Sequence, residues 1–184
     1  LNPNEKQLWI PGDELLKELK ACDIECEIID IQEGIMQFRD VMQKINKSCK
    51  SLNVRPIIHF ICHGLGPNQN SRYPMGAMCL WNNYKQINEI IEWKALLYHL
   101  ELINEACHFN LFVSMSVCYG FFSLLNIFDN LYRIPFCGIL ASPDPIYAVP
   151  ATKYYIDFYV ALVQNKDLNI AIVKLHQSMS AYEE

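Results

Sequence analysis

Two apolar runs, each closed by a chemically useful residue, constrain this chain more than anything else in it. The first is Arg55-Pro56-Ile57-Ile58-His59-Phe60-Ile61-Cys62-His63-Gly64. The second is Asn110-Leu111-Phe112-Val113-Ser114-Met115-Ser116-Val117-Cys118-Tyr119-Gly120. Short runs rich in β-branched and aromatic residues, stopped by glycine, read as buried strands of a parallel sheet. In such sheets the chemistry collects beyond the carboxyl ends of the strands, which is where His63 and Cys118 fall. Neighbouring strands lie roughly 5 Å apart, so an imidazole at one end can meet a thiol at the other. That is the arrangement of a cysteine nucleophile with a histidine base.

Helices and short strands alternate along the remainder. Pro11-Gly12-Asp13 is expected to open a helix reaching about Cys22, with Asp13 as its cap and Leu15, Leu16 and Leu19 facing inward. Ile24-Glu25-Cys26-Glu27-Ile28 alternates apolar and acidic residues, the pattern of a strand with one wet side near a sheet edge. After Gly34, the residues Ile35, Phe38, Met42, Ile45 and Cys49 mark a helical stripe. Residues 64–76 hold the most loop-like stretch, placed where a lid or substrate wall would follow a catalytic residue. Ala77-Met78-Cys79-Leu80-Trp81 reads as a short extra strand, and a helix from about Glu92 to Cys107 presents Trp93, Leu96, Leu97, Leu100 and Ile103. The Cys118 strand, a short helix around 121–130 and a strand at Phe136-Cys137-Gly138-Ile139-Leu140 come next. Ser142-Pro143-Asp144-Pro145 then breaks the chain before helices at about 151–164 and 168–182. This order predicts an α/β fold with a largely parallel sheet.

The 184 residues suffice for one domain with a substantial core, and 52% hydrophobic with 19% charged residues is a globular composition. A net charge of −5 leaves no broad footprint for nucleic acid. Lys44, Lys47 and Lys50 recur at helical spacing and read as a solvated helix face. No signal-peptide pattern and no long uncharged apolar run appears, so a soluble cytoplasmic protein is expected. The eight cysteines lie mostly within apolar elements, Cys62, Cys118 and Cys137 in predicted core strands, and read as reduced thiols. Cys22 and Cys26, and the pair Cys107-His108, have no partner at metal-ligand spacing, so no metal or other cofactor is assigned. The chain begins Leu1-Asn2-Pro3-Asn4 and reads as a fragment of a longer protein that has lost its first strand.

Cys118 needs a nearby imidazole or helix N-terminus to become a thiolate. His63 from the neighbouring strand and the helix after Gly120 are the candidates. Gly64, having no side chain, lets a backbone N–H approach a carbonyl, so Gly64 and Cys118 are candidate oxyanion donors. A plainer reading remains, since one of eight cysteines ending a strand needs no chemistry. His59 shares parity with His63 but lies inside the sheet, where a satisfied core histidine is expected. Cys62 has the opposite parity and is expected to pack. Ser114 and Ser116 sit on the strand itself, and no Gly-x-Ser-x-Gly elbow is present.

His-Phe-Ile-Cys-His-Gly at 59–64 is similar to the His-Phe-x-Cys-His-Gly of the CHAT group, the caspase-like cysteine peptidases related to separase and often found with TPR repeats. Ser-Val-Cys-Tyr-Gly at 116–120 resembles that group's Ser-Ala-Cys-x-x-Gly, and Phe158-Tyr159-x-x-Leu162 followed by Ala171 resembles its tail. The likeness spans roughly 13–182 and departs from the family at Val117, where Ala is usual, and in the missing first strand. It implies a caspase-like three-layer sandwich, a six-stranded sheet with the His and Cys strands adjacent, His63 as base, Cys118 as nucleophile and Gly64 as backbone donor. It also implies a cysteine endopeptidase acting through a thioester acyl-enzyme on a protein substrate, restrained by a regulatory module or partner, in settings that include bacterial defence. Caspases receive acidic side chains through arginines, whereas separase-like relatives use a carboxylate. Asp144, in Ala-Ser-Pro-Asp-Pro, is therefore a candidate pocket for a basic side chain, set against the plainer reading of a turn cap between two prolines. Arg72, Arg133 and Asp157 are weaker candidates. The alternative function is a catalytically silent caspase-like scaffold that assembles through its loops. A nucleotide-binding domain is set aside because no Gly-x-Gly-x-x-Gly or Walker pattern occurs.

Overall fold

Phe112-Val113-Ser114-Met115-Ser116 has nothing at its centre that needs water except two small hydroxyls, so it can be buried on both faces. In the computed structural model, which describes residues 3–52, 56–127 and 134–180, it is the middle strand of a parallel sheet. The elements run α1 (Pro3–Ala21), α2 (Ile35–Leu52), β1 (Ile57–Ile61), β2 (His63–Leu65), β3 (Ala77–Asn82), β4 (Ile87–Glu92), α3 (Trp93–Ala106), β5 (Phe112–Ser116), a 3₁₀ turn (Gly120–Asn126), β6 (Gly138–Ala141), α4 (Ala148–Asn165) and α5 (Leu168–Ser180). They sort into two compact units, Asp30–Ile146 and Leu1–Ile29 with Tyr147–Glu184.

The first unit holds both sheets. β1, β5 and β6 lie side by side in that order, all parallel, while β2, β3 and β4 form a separate antiparallel sheet. The expectation of one largely parallel sheet is therefore corrected: the six strands among the described residues divide three and three. α3 supplies the helical return that parallel strands require before β5. Val113 and Met115 of the central strand, Val117 just beyond it, and Ile58, Phe60 and Ile139 share one core with the apolar stripes of α2 and α3. That stripe includes Phe38, Met42 and Cys49 of α2 and Trp93, Leu96, Leu100 and Ile103 of α3, as their spacing predicts. Lys44, Lys47 and Lys50 are exposed, as a solvated face should be.

Asn104 is wholly buried near the end of α3 and paired through both its nitrogen and its oxygen: it donates to the Ile134 carbonyl at 2.7 Å and accepts from Leu111 N–H at 3.0 Å. A buried amide is tolerated only when paired in this way, and the pairing aims the chain into β5.

The second unit is helical. Leu15 and Leu19 of α1 are buried, as are Ala151, Tyr155, Phe158 and Tyr159 of α4 and Ala171 and Leu175 of α5. α4 packs on both α1 and α5. The Ser178 hydroxyl donates to the Asp157 carboxylate between α5 and α4, so Asp157 is a helix-pairing group. α1 begins at Pro3, which leaves Asp13 within the helix instead of capping it. Pro3 stands at the first helical position, where a missing N–H costs nothing. Residues 24–28 form no strand; the exposure alternates from Cys22 to Cys26, but no ladder partner is present among the described residues. Among the described residues, no helix is long and apolar enough to cross a membrane.

Candidate active site

β1 and β5 are neighbours, in register from Ile57 opposite Phe112 to Ile61 opposite Ser116. His63 and Cys118 each lie two residues beyond that last pair. The two chain ends stay together: a Cβ built on Gly64 would meet the Cys118 carbonyl oxygen at 1.9 Å and Val117 Cγ1 at 2.9 Å. Only glycine permits the His63–Gly64 backbone to lie against the Cys118 turn in this way.

The two candidate residues nevertheless differ from the simplest dyad. His63 does not end β1, because the strand bends at Cys62 and His63 opens β2. There its cross-strand partner is Cys79, and directly opposed residues share a face of the ladder. His63 is exposed, Cys118 is half-buried, and no hydrogen bond joins them among the described residues. Three thiols thus surround this corner. Cys62 is pushed well above the ordinary thiol range, first by burial and then by neighbouring Cys79 and Cys118. Burial also raises Cys79. Both are held as neutral thiols, a state unsuited to attack.

Cys118 lies in a strand–turn–3₁₀ elbow. Gly120 N–H donates to Val117 O at 3.0 Å and Phe122 N–H to Tyr119 O at 3.0 Å. Tyr119 adopts a left-handed backbone, φ 61°, which costs a bulky residue of order 1 kcal/mol and clusters at functional sites. Its ring lies over Gly66, where a Cβ would come within 2.9 Å of Tyr119 Cε2, and near Phe122 at 6.4 Å. The helix expected over 121–130 is a seven-residue 3₁₀ segment, too short to lend the sulfur an α-helical dipole.

The Cys118 sulfur has a partner that no sequence pattern announced. Ile146 N–H donates to Sγ at 3.3 Å, and Sγ lies 3.7 Å from the Ile146 carbonyl as donor. The segment leading to Ile146 runs beside the elbow. Phe121 N–H donates to Ser142 O at 3.0 Å, Tyr119 N–H to Asp144 O at 3.3 Å, and Ser142 Oγ accepts from Asp144 N–H at 3.1 Å. Asp144 therefore does sit at the rim of the Cys118 elbow, held by its backbone, with its side chain exposed. In this turn the capping side chain is that of Ser142, and Asp144 contributes its backbone N–H. Pro143 and Pro145 mark a break in the sequence; nothing in it singles out Ile146.

The other candidates are placed as follows. His59 Nε2 and Ser116 Oγ share a hydrogen bond of 2.8 Å, and burial drives the His59 imidazole down to about 3. It is the satisfied, neutral histidine that its position inside the sheet suggested. Ser114 is fully buried. Arg72 lies on the 66–76 loop, its guanidinium 5.8 Å from the Tyr73 ring centroid. Arg133 lies outside the described residues. Cys137 precedes β6 and is exposed, which corrects its placement within a core strand; the strand starts at Gly138 because Cys137 N–H turns to the Leu111 carbonyl. Among the described residues, no group of three or more His, Cys, Asp or Glu side chains is placed to hold a metal.

No family model matches the chain, and neither the curated proteins nor the solved structures give a match. The functional reading rests on the residues themselves.

Proposed function

We propose that the chain is a caspase-like, CHAT-type cysteine peptidase domain with a three-layer sandwich architecture, cleaving a protein substrate through a thioester. The observation that carries this reading is the in-register pairing of β1 with β5, which brings the His63 and Cys118 turns together with Gly64 packed on the Cys118 carbonyl. His63 acts as base and then protonates the leaving amine, Cys118 attacks the carbonyl, and water hydrolyses the acyl-enzyme. Gly64 and Cys118 N–H groups receive the oxyanion. Asp144, exposed beside the elbow, offers a carboxylate to a basic substrate side chain. A regulatory module or partner, of TPR type or otherwise, controls a cytoplasmic enzyme of this kind, which suits a role in antiviral defence.

The test is cleavage of a diverse peptide library by the wild type, Cys118→Ala and His63→Ala. Loss of all cleavage in both variants, at unchanged folding, is the expected result; loss of a general base typically costs about 10²–10⁴-fold. Cleavage that survives Cys118→Ala refutes the proposal. The second reading, a silent scaffold, is favoured by one observation: the Cys118 sulfur is engaged by Ile146 and not by His63. It predicts no cleavage by any of the three proteins, with or without the full parent chain.

A further inference from the structure

The segment 142–146 contacts the candidate site in an ordered way. Its bonds pair Phe121 with Ser142 and Tyr119 with Asp144, so the residue number falls by two on one side as it rises by two on the other. The two segments therefore run in opposite directions, joined by two backbone bonds that the elbow donates. The next step along the strap is Ile146, and its peptide N–H meets the Cys118 sulfur.

The consequences for the thiol follow from the two contacts. The N–H occupies a sulfur lone pair, and the Ile146 carbonyl accepts the thiol proton. Both contacts engage the sulfur that has to attack a carbonyl. Pro143 and Pro145 stiffen the segment by fixing their own φ angles. Ile146 is the last residue of its unit, and at Tyr147 the chain enters the other. The strap therefore leads into one of the two points at which the chain passes between the units, the other being Ile29–Asp30.

We infer that the 142–146 strap is an autoinhibitory latch: it is bonded to the Cys118 elbow and keeps the nucleophile's sulfur engaged until it is lifted. This deepens the peptidase reading and rests on it, because a strap over an unreactive thiol inhibits nothing. Lifting the strap frees the Tyr119 and Phe121 N–H groups along with the sulfur, and those two donors are then open to an extended peptide backbone.

The experiment measures the iodoacetamide alkylation rate of Cys118 by mass spectrometry, with exposed Cys137 as the internal reference. Two variants loosen the latch. Ser142→Ala removes the hydroxyl that holds the Asp144 turn, and Ile146→Gly frees the backbone that grips the sulfur. The Cys118 rate relative to Cys137 should rise about tenfold in each, corresponding to the loss of one hydrogen-bonded contact of about 1.4 kcal/mol. An unchanged ratio in folded variants overturns the latch; should Ile146→Gly unfold, Ser142→Ala carries the test alone. His63→Ala added to the loosened protein separates the two ideas. If the raised rate survives loss of His63, the latch stands and the dyad fails. If Cys118 reactivity depends on His63 but not on the strap, the dyad stands and the latch fails.

Discussion

Gly64 is the residue whose replacement the geometry judges most severely. A methyl there meets backbone on the Cys118 side at 1.9 Å, and a carbonyl in a packed turn has no rotamer by which to escape. At Gly138 the same methyl meets only the Phe112 ring, at 3.0 Å, which can give by a few tenths of an ångström. Gly64→Ala should therefore lower stability by about 1–3 kcal/mol, in the range of overpacked sites, and Gly138→Ala by clearly less. Urea unfolding of both variants checks the ranking; equal costs would mean that the His63–Gly64 backbone does not lie against Cys118. The sequence made Gly64, His63 and Cys118 legible because strand ends in an α/β chain are where such residues matter. It could not reveal Ile146, which acts through its peptide group, and a peptide group carries no signature in the residue's name. Nor did it flag Cys79 as His63's neighbour, since that pairing depends on a bend at Cys62 that no proline or glycine announces.

The sequence showed β3 at 77–81 but concealed the hairpin that β3 makes with β4. Its turn, Asn83-Tyr84-Lys85-Gln86, contains no glycine, although Gln86 adopts φ 57°. Asn82 does the work instead: its side-chain carbonyl accepts from Tyr84 and Lys85 N–H, each at 3.0 Å. β4 itself, Ile87-Asn88-Glu89-Ile90-Ile91-Glu92, alternates poorly and runs directly into α3, so periodicity assigns it no boundary. Residues 24–28 err the other way, since alternation records which side is wet but supplies no partner strand. β1, β5, β6 and the apolar stripes of α2 and α3 were readable because burial fixes their composition. The hairpin also caps a helix. Glu89 accepts from Ile35 N–H at 2.7 Å at the start of α2, and from Asn82 at 3.2 Å and Lys85 at 2.7 Å. Lys85 is exposed and its ion pair contributes little, so the backbone bond carries most of the effect. Glu89→Ala should cost about 1 kcal/mol, as lost N-terminal caps do. The Lys85 and Ile35 bonds hold the Glu89 carboxyl below its ordinary value of 4.5. Its contribution is present above that value and is lost as pH falls below it, so the wild type and variant should converge in acid. A difference that persists undiminished to pH 2 would show that the carboxylate charge plays no part in the cap.

Acid sensitivity of the sheet-bearing unit follows from one half-buried ring. His59 of β1 is bonded to Ser116 of β5, and burial lowers it from 6.5 to about 3. The folded protein therefore keeps His59 neutral where the unfolded chain protonates it. The unfolded state binds the extra proton, so stability rises with pH across that window, is complete above about 6.5 and is lost as pH falls toward 3. One proton corresponds to about 1.4 kcal/mol per pH unit. Burial and the Arg39 charge also lower His99 on α3, giving a second contribution of the same sign. His59→Gln keeps an amide donor near Ser116 and removes the titration. Between pH 6.5 and 5, above the main carboxylate range, its stability should fall with a slope about one proton shallower than the wild type. Fully buried Trp93 reports unfolding of this unit, and a Trp9→Phe background removes the tryptophan of the other unit from the signal. The two units need not unfold together, so a reporter confined to one of them is what makes the free energy well defined. An unchanged slope would place His59 in contact with solvent and open the β1–β5 face that the candidate site is built upon.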